Sequence, residues 1–192
     1  MVGEQAPDIQ ATDVTGKAVS LRARDEGYTL VAFLRYSGCP WCNLTIHRLS
    51  LEYKRLLESG CEVIAFIQSE GTDVLDNVYR RHEVTPMFPI IADHERRFYK
   101  KYGVGTSLRA AARSVTKLPA WVEAVKTHGW KQQKVDGNVF IVPAVFLISN
   151  RTGKIVQADY GSSFYDHETF IGLYESLLFH ETARPAVAPA AA

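Results

Sequence analysis

The sequence lacks a long apolar segment and has almost no excess of either charge. Its longest apolar run, residues 139–148, contains Pro143, whereas a membrane-spanning helix needs about 20 apolar residues. The 22 basic and 21 acidic side chains give a net charge of +1, and general nucleic-acid or membrane binding needs a clustered positive field. We therefore predict no nucleic-acid partner and no membrane partner. The N-terminus has neither a basic start nor an apolar core, so we expect a cytoplasmic protein without a secretory signal.

Cysteine is also scarce, with three residues in a chain of 192. Three cannot build a disulfide scaffold, and a chain of this length needs none. Cys39 and Cys42 have the C-x-x-C spacing, which indicates redox or metal chemistry. Zinc needs four ligands, but Cys61 begins a predicted buried strand, and His82 and His94 lack a ligand spacing. We therefore favour redox chemistry without a metal and expect Cys61 to be a small buried apolar residue.

The apolar pattern predicts one α/β domain over residues 1–182. Continuous apolar runs predict strands buried on both faces, and apolar residues three or four apart predict helices. The predicted strands are 28–36, 61–68, 88–92, 140–149 and 154–160, the last two forming an antiparallel hairpin. The predicted helices are 40–58, 71–83, 94–102 and 166–179, the last with Asp166 as its N-cap. The Ala/Pro-rich tail 183–192 is expected to be disordered.

The cysteine pair lies in the run RYSGCPWC, residues 35–42, where a predicted strand ends and a helix begins. Pro40 suits the first turn of that helix. The unpaired N–H groups at a helix N-terminus stabilise a nearby thiolate, so they lower the pKa of a cysteine and make it reactive. A three-residue spacing on a first helical turn places the two Cα atoms about 5–6 Å apart, within disulfide range. The sequence therefore predicts a pair that opens and closes without large backbone movement.

Residues 105–138 form an extra segment ahead of the strand that follows Pro143. Within it, residues 107–116 and 119–128 have helical spacing, and six basic against two acidic side chains give a net charge of +4. Because the segment precedes Pro143, we expect it near the cysteine pair. It would serve there as a lid, as the surface of a homodimer, or as a helical decoration with a solvated basic face. Trp121 and Trp130 would suit burial in either of the first two roles.

Four stretches resemble the thioredoxin-fold superfamily and, within it, the peroxiredoxin-like branch of the alkyl hydroperoxide reductase / thiol-specific antioxidant family. They are GEQAPD with TGK and VSL near the N-terminus, VAFLRYSGCPWCNLTIHRLSL at 31–51, FPIIAD with YGV at 88–104, and VPA at 142–144. The resemblance implies a thioredoxin-like fold, with a central mixed sheet flanked by helices. The helical insertion then precedes a strand introduced by a cis-proline, Pro143, which faces the cysteine pair and shapes the substrate contact.

The resemblance also implies a thiol-dependent oxidoreductase whose thiolate attacks a peroxide or a disulfide. A Cys39–Cys42 disulfide would result, and thioredoxin or glutathione would reduce it without any bound cofactor. Both substrates remain open, and the family favours peroxide. A redox sensor or binding module without catalysis is the alternative from another class. Trp41 would form apolar surface for a partner or substrate, or would pack internally, and Pro40 would shape the site.

The sequence departs from the peroxiredoxin pattern P-x-x-x-T-x-x-C ahead of the reactive cysteine. Arg35 replaces the proline, Cys39 replaces the threonine, and residues 142–146 contain no arginine. Arg35 would supply the missing positive charge, or would be an exposed loop residue. The peroxiredoxin alignment selects Cys42 as the nucleophile, whereas thioredoxin-type chemistry selects the first cysteine. We favour Cys39, because we expect it to be exposed at the helix start.

Overall fold

A computed structural model describes residues 1–21 and 26–165 of the chain. Two short strands, β1 (Gln10–Thr12) and β2 (Ala18–Ser20), form an N-terminal hairpin. The central sheet consists of β3 (Tyr28–Phe33), β4 (Cys61–Ile67), β5 (Ile90–Ala92), β6 (Ala144–Ser149) and β7 (Ile155–Tyr160). The predicted helix 166–179 with its N-cap Asp166 and the tail 183–192 lie outside the described residues.

The central sheet is mixed, and its strand order is β5-β4-β3-β6-β7. Strands β3, β4 and β5 are parallel, whereas β6 runs antiparallel to both β3 and β7. Leu30 in β3 is paired with Val63 on one side and with Leu147 on the other. The predicted mixed sheet and its β6–β7 hairpin are therefore confirmed.

The helix that carries the cysteine pair, α1 (Pro40–Glu58), has the predicted bounds. A short α2 (Gly71–Val74) continues into a π-helical turn, Leu75–Tyr79. Helix α3 (Arg97–Lys101) begins later than predicted, because Arg96 adopts a left-handed backbone with φ of 58°. Such a residue cannot belong to a right-handed helix.

The two predicted insertion helices form one unbroken helical run over residues 108–127. It comprises α4 (Leu108–Arg113), a 3-10 turn (Ser114–Lys117), α5 (Leu118–Val122) and a π-helical turn (Glu123–Thr127). Pro119 does not interrupt the run because it lies in the first turn of α5, where its missing N–H costs no hydrogen bond. Ser107 caps the N-terminus by accepting a hydrogen bond from the Ala110 N–H at 3.1 Å.

The apolar run of β3 is buried on both of its faces, because successive side chains of a strand point in opposite directions. Leu30 and Ala32 pack in the cluster that contains the apolar side of α1. Val31 and Phe33 pack on the other face, where the Phe33 ring lies 5.0 Å from the ring of Tyr99 in α3. The sheet is thus the middle layer, and the carboxyl ends of β3 and β4 meet at one edge.

The insertion packs on the side of α1 that faces away from the sheet. Leu44 of α1 is fully buried there against Ala124, Trp130 and Tyr165. As expected, the insertion lies beside the helix that carries the cysteine pair. Across residues 1–21 and 26–165, no helix has both the length and the apolarity that crossing a membrane requires.

The expected cis form of Pro143 is not found, since none of the described residues is preceded by a cis peptide bond. The trans form of an X–Pro bond is favoured by about 0.5–1 kcal/mol where the surroundings do not select cis. Here backbone hydrogen bonds hold the chain extended both before and after the Val142–Pro143 peptide bond. The Val142 N–H donates to the Gly105 carbonyl at 3.1 Å, and the Pro143 carbonyl accepts from the Gly161 N–H at 2.8 Å. Residue 143 therefore leads directly into β6.

Candidate active site

The cysteine pair lies at the carboxyl edge of the sheet, where the chain leaves β3 and enters α1. We call residues 37–39 the redox turn. Cys39 is the N-cap of α1, with extended backbone, and Pro40 occupies the first helical turn. The helix therefore begins immediately after the first sulfur, so the free N–H groups of its first turn are directed towards that sulfur.

Both cysteines are free thiols and both are buried, Cys39 at 1% exposure and Cys42 at 3%. The expectation that Cys39 would be exposed is therefore wrong. The helix start would be open in a fold without the insertion, but here the insertion and the segment after it cover that edge. Because both sulfurs are buried, the assignment of the nucleophile depends on their electrostatic surroundings and not on their exposure.

Arg35 lies against the first sulfur and not in an exposed loop, since it is only 3% exposed. Its Nη1 donates to Cys39 Sγ at 3.4 Å, and its Nη2 donates to the Val139 carbonyl at 2.6 Å. The guanidinium also stacks 3.8 Å from the centre of the Phe164 ring. A fixed positive charge therefore contacts Cys39 at a position where the family pattern has no arginine.

The surroundings of the two sulfurs separate their acidities. Burial disfavours the charged form of Cys39, but hydrogen bonding from Cys42, the charge of Arg35 and backbone N–H groups outweigh it and lower the pKa of Cys39 to about 6. Burial and the neighbouring Cys39 raise the pKa of Cys42 well above its ordinary value. These surroundings favour the thiolate at Cys39 and the protonated thiol at Cys42 near neutral pH.

The redox turn is held from inside α1 by Asn43. Its Nδ2 donates to the Ser37 carbonyl at 2.7 Å and to the Cys39 carbonyl at 3.0 Å. Because the amide nitrogen is used in this way, the Asn43 oxygen must accept, and the His82 Nε2, 2.7 Å away, must carry the proton. One buried amide thus connects both ends of the turn to a histidine from another element.

A segment that follows the insertion helices, residues 131–139, crosses the outside of the redox turn; we call it the strap. Six hydrogen bonds join it to the site. They are Gln133 N–H to Gly38 O (3.0 Å), Tyr36 OH to Gln132 Oε1 (3.2 Å), Ser69 Oγ to Asp136 Oδ1 (2.9 Å), Gln68 Nε2 to Asn138 O (2.8 Å), Asn138 N–H to Gln68 Oε1 (2.9 Å) and Arg35 Nη2 to Val139 O (2.6 Å). The strap is therefore bound to both the redox turn and the end of β4.

A cleft of about 410 Å³ opens beside the strap. Its lining is mostly apolar. It comes from residues 35–41 around the redox turn, the insertion helices, the strap and residue 164. The lining residues that bear on the chemistry are Arg35, Tyr36, Trp41, Trp121, Gln132 and Phe164. Because Arg35 both lines this cleft and contacts Cys39 Sγ, the cleft ends one side chain away from the sulfur.

The remaining candidate residues have simpler surroundings. Trp41 is half-buried, and its Nε1 donates to the Lys117 carbonyl at 3.2 Å. Cys61 is fully buried at the start of β4, as predicted, and burial raises its pKa to about 12. Among the described residues, no group of three or more His, Cys, Asp or Glu side chains is arranged to hold a metal ion.

Sequence reasoning did not identify Asn43, His82, Gln68 or the polar contacts of the strap. Gln68 and Ser69 could have been found, because polar residues directly after a buried parallel strand lie at the edge where sites form. Asn43 is a polar residue between apolar neighbours on a predicted helix. This pattern is weaker evidence for a site residue than the positions of Gln68 and Ser69. Nothing in the sequence indicates that His82 meets Asn43, since 39 residues separate them.

The architecture around this site is that of thioredoxin-like proteins. The structure described as a thiol:disulfide interchange protein DsbE from Chlorobium tepidum superposes with a TM-score of 0.61 and 18% identity, over 92% of this chain and 94% of that one. Peroxidoxin BcpB from Mycobacterium tuberculosis superposes with a TM-score of 0.63 and 12% identity, over 95% and 97%. Identities this low establish the fold alone.

The chain belongs to the AhpC/TSA family, whose profile matches residues 2–158. It is also 27% identical to the thiol-disulfide oxidoreductase ResA of Bacillus thuringiensis subsp. konkukian over 106 residues. That alignment covers 54% of this chain and 58% of the relative. The chain therefore spans somewhat more than half the length of the curated relatives it matches.

Proposed function

We propose that the protein is a thiol peroxidase in which Cys39 is the nucleophile and Cys42 the resolving thiol. The observation that carries this proposal is the contact of Arg35 with the buried Cys39 sulfur, beside the buried Cys42 on the same helical turn. These surroundings lower the pKa of Cys39 and raise that of Cys42. Membership of the AhpC/TSA family supports the choice of peroxide as substrate. The cytoplasmic location and a homodimer stay predictions.

The reaction proceeds in two steps on the enzyme. The Cys39 thiolate attacks the terminal oxygen of a hydroperoxide, the O–O bond breaks, and the alkoxide leaves as an alcohol after taking a proton. The product is a sulfenic acid at Cys39. The Cys42 thiol then attacks the Cys39 sulfur and expels water, so a disulfide forms. Two thiols of a reductant restore the pair, and no cofactor carries electrons.

Arg35 supports this chemistry in a way the sequence pattern alone left open. A peroxidase must stabilise the thiolate and the negative charge that develops on the departing oxygen. Arg35 contacts the sulfur and lines the cleft beside it, so it is placed to meet both charges. It therefore supplies the positive charge that the substituted family pattern lacks.

Disulfide reduction is the second candidate function. The observation that favours it is the resemblance to curated relatives named thiol-disulfide oxidoreductase. The same two sulfurs would serve, with Cys39 attacking a disulfide and Cys42 releasing the mixed intermediate. The two candidate functions differ in the first bond broken, which is O–O for a peroxide and S–S for a disulfide. Measuring which of these oxidants reacts rapidly with the reduced protein therefore distinguishes them.

The test is stopped-flow Trp fluorescence of the fully reduced protein mixed with hydrogen peroxide, beside three single cysteine variants. We expect oxidation faster than that of free cysteine by about 100-fold or more, since rate follows thiolate content and site electrostatics. Cys39→Ser abolishes the reaction. Cys42→Ser still forms one sulfenic acid, trapped by dimedone, but does not turn over.

Cys61→Ser is the matched control, because Cys61 is buried far from the reaction chemistry and should leave the peroxide rate unchanged. A wild-type rate equal to that of free cysteine would contradict the peroxidase. Fast oxidation by a small disulfide would then support the second candidate, and slow reaction with both would leave a non-catalytic sensor. Dominant loss of rate in Cys42→Ser would reverse the assignment of the nucleophile.

A further inference from the structure

We infer that the strap excludes polypeptides from Cys39, so that a low-molecular-weight thiol, and not a protein dithiol, reduces the Cys39–Cys42 disulfide. This inference rests on the proposed function, because it concerns the reductant of the same pair. It begins from the position of the strap. A protein that exchanges disulfides with Cys39 must lay backbone against the surface of the redox turn, and the strap already covers that surface.

The strap makes the contact that an incoming polypeptide would need. The Gly38 carbonyl, next to Cys39, already accepts a hydrogen bond from the Gln133 N–H at 3.0 Å. A Cβ built on Gly38 would lie 2.7 Å from the Lys134 carbonyl oxygen and 2.9 Å from Gln133 Cβ, closer than such atoms approach. No second backbone can therefore lie against Gly38 while the strap is bound.

Both ends of the strap are fixed. At one end, Trp130 is 3% exposed and is stacked between the rings of His82 and His128, at 4.5 and 4.4 Å. At the other, Ile141 is 2% exposed and bridges to Thr106. Removing the strap from the turn would also leave the fully buried Gln68 without both of its partners on Asn138, which carries a desolvation cost.

Oxidation of the pair leaves these contacts in place. Of the six hydrogen bonds that hold the strap, none involves a sulfur, and a disulfide between residues three apart needs little backbone movement. The disulfide therefore forms under the strap. We expect its reductant to approach through the cleft of about 410 Å³ beside it, since Arg35 lines this cleft and contacts Cys39 Sγ. A cleft of that volume holds a small thiol but not a folded domain.

The reduction consumes two thiols. The first thiolate attacks the Cys39–Cys42 disulfide and forms a mixed disulfide at one sulfur while the other leaves as a thiolate and takes a proton. The second thiol attacks the mixed disulfide, releases the remaining cysteine and becomes the oxidised reductant, RSSR. Each enzyme disulfide thus gains two electrons, and two small thiols become one small disulfide.

The test compares two reductants on the oxidised full-length protein, glutathione and thioredoxin kept reduced by thioredoxin reductase and NADPH. Dithiothreitol gives the reference rate, and Trp fluorescence reports reduction. We expect the rate constant with glutathione to exceed that with thioredoxin by about tenfold or more, because access limits exchange. In Asp136→Ala and in Asp136→Leu, which loosen the strap by removing its hydrogen bond from Ser69 Oγ, the thioredoxin rate rises by about tenfold while the dithiothreitol rate changes little.

Lys134→Ala is the matched control, since its exposed side chain lies on the outer side of the same segment, and it should keep the wild-type ratio. Faster reduction of the wild type by thioredoxin than by glutathione would overturn the inference. So would an unchanged ratio in the loosened variants, provided that thermal unfolding shows them folded. Failure of the proposed function is distinguishable, because the reduced protein would then show no rapid oxidation by peroxide at all.

Discussion

At the scale of single residues, the contact between Arg35 and Cys39 is the one on which the proposed chemistry depends. Burial ordinarily raises the pKa of a thiol, and at Cys61, which is also fully buried, it raises the pKa to about 12. Cys39 differs because a guanidinium, the thiol of Cys42 and helix N–H groups all stabilise its anion. Burial and a lowered pKa therefore coexist at Cys39, which is the basis for proposing it as the nucleophile.

Replacing the guanidinium tests this account. In Arg35→Met the pKa of Cys39 should rise from about 6 by about 1–3, because an opposite charge in contact is lost. Alkylation by iodoacetamide near neutral pH should slow by about tenfold. The pH midpoint of thiolate absorbance gives the pKa directly, and Arg151→Met, in an exposed turn, is the control. An unchanged midpoint would show that helix N–H groups and Cys42 suffice.

Helix α1 is the element that organises the site, since it carries Cys42 and Asn43 and is covered on both sides. Its apolar face packs on the sheet, and Leu44 packs under the insertion. Its bounds were predictable, because Pro40 marks the start, Gly60 follows the end, and apolar residues recur between them. The role of Asn43 was not predictable, since its partners are carbonyls fixed only after the turn has folded.

Removing the Asn43 amide should destabilise the turn. Asn43→Ala leaves the Ser37 carbonyl and the His82 Nε2–H without the Asn43 side chain as partner, whereas the Cys39 carbonyl keeps the backbone N–H of residue 43 at 3.1 Å. We therefore expect the free energy of unfolding to fall by about 3 kcal/mol. Asn77→Ala is the matched variant: Asn77 is half-buried and donates only to the Ser37 hydroxyl at 3.0 Å, so about 1 kcal/mol is expected. Urea unfolding of the reduced proteins measures both, and equal losses would contradict this role.

At the scale of the whole molecule, a histidine–tryptophan cluster joins α1, the segment after the π-helical turn 75–79 and the insertion. His47, His82 and His128 surround Trp130. Burial lowers the pKa of His82 to about 3, with a further contribution from the charges of His47, Arg81 and His128. Burial also lowers the pKa of His47, and the charge of His128 makes the next largest contribution. The packing of this cluster therefore favours neutral imidazoles at His47 and His82.

Stability should consequently fall in mild acid. The pKa of His82 is lower in the folded state than the usual 6.5, so below that pH the unfolded chain binds the extra proton. Its contribution is complete above about pH 6.5 and is lost as pH falls towards 3. Between about pH 7 and pH 5 we expect a loss of about 2 kcal/mol attributable to this residue.

Denaturant unfolding at the two pH values measures the loss, and His82→Gln is the comparison, since a glutamine amide can still donate to Asn43. The variant should lose less stability than the wild type over the same interval, even if it is less stable at neutral pH. Equal losses in both proteins would assign the acid sensitivity to other groups, such as His47 or the carboxylates.

By itself, the sequence determined most of the elements and the position of the candidate site. Continuous apolar runs specify buried strands, a proline and a glycine bound α1, and C-x-x-C at a helix start predicts a redox pair. These features depend on residues close together in the chain. Tertiary structure decided which cation contacts Cys39, how both sulfurs are covered and how residue 143 enters β6. Those outcomes depend on Val139, Gln133, His82 and other residues distant in sequence, whose backbone and side-chain groups reach the redox turn only after the sheet and the insertion have packed together.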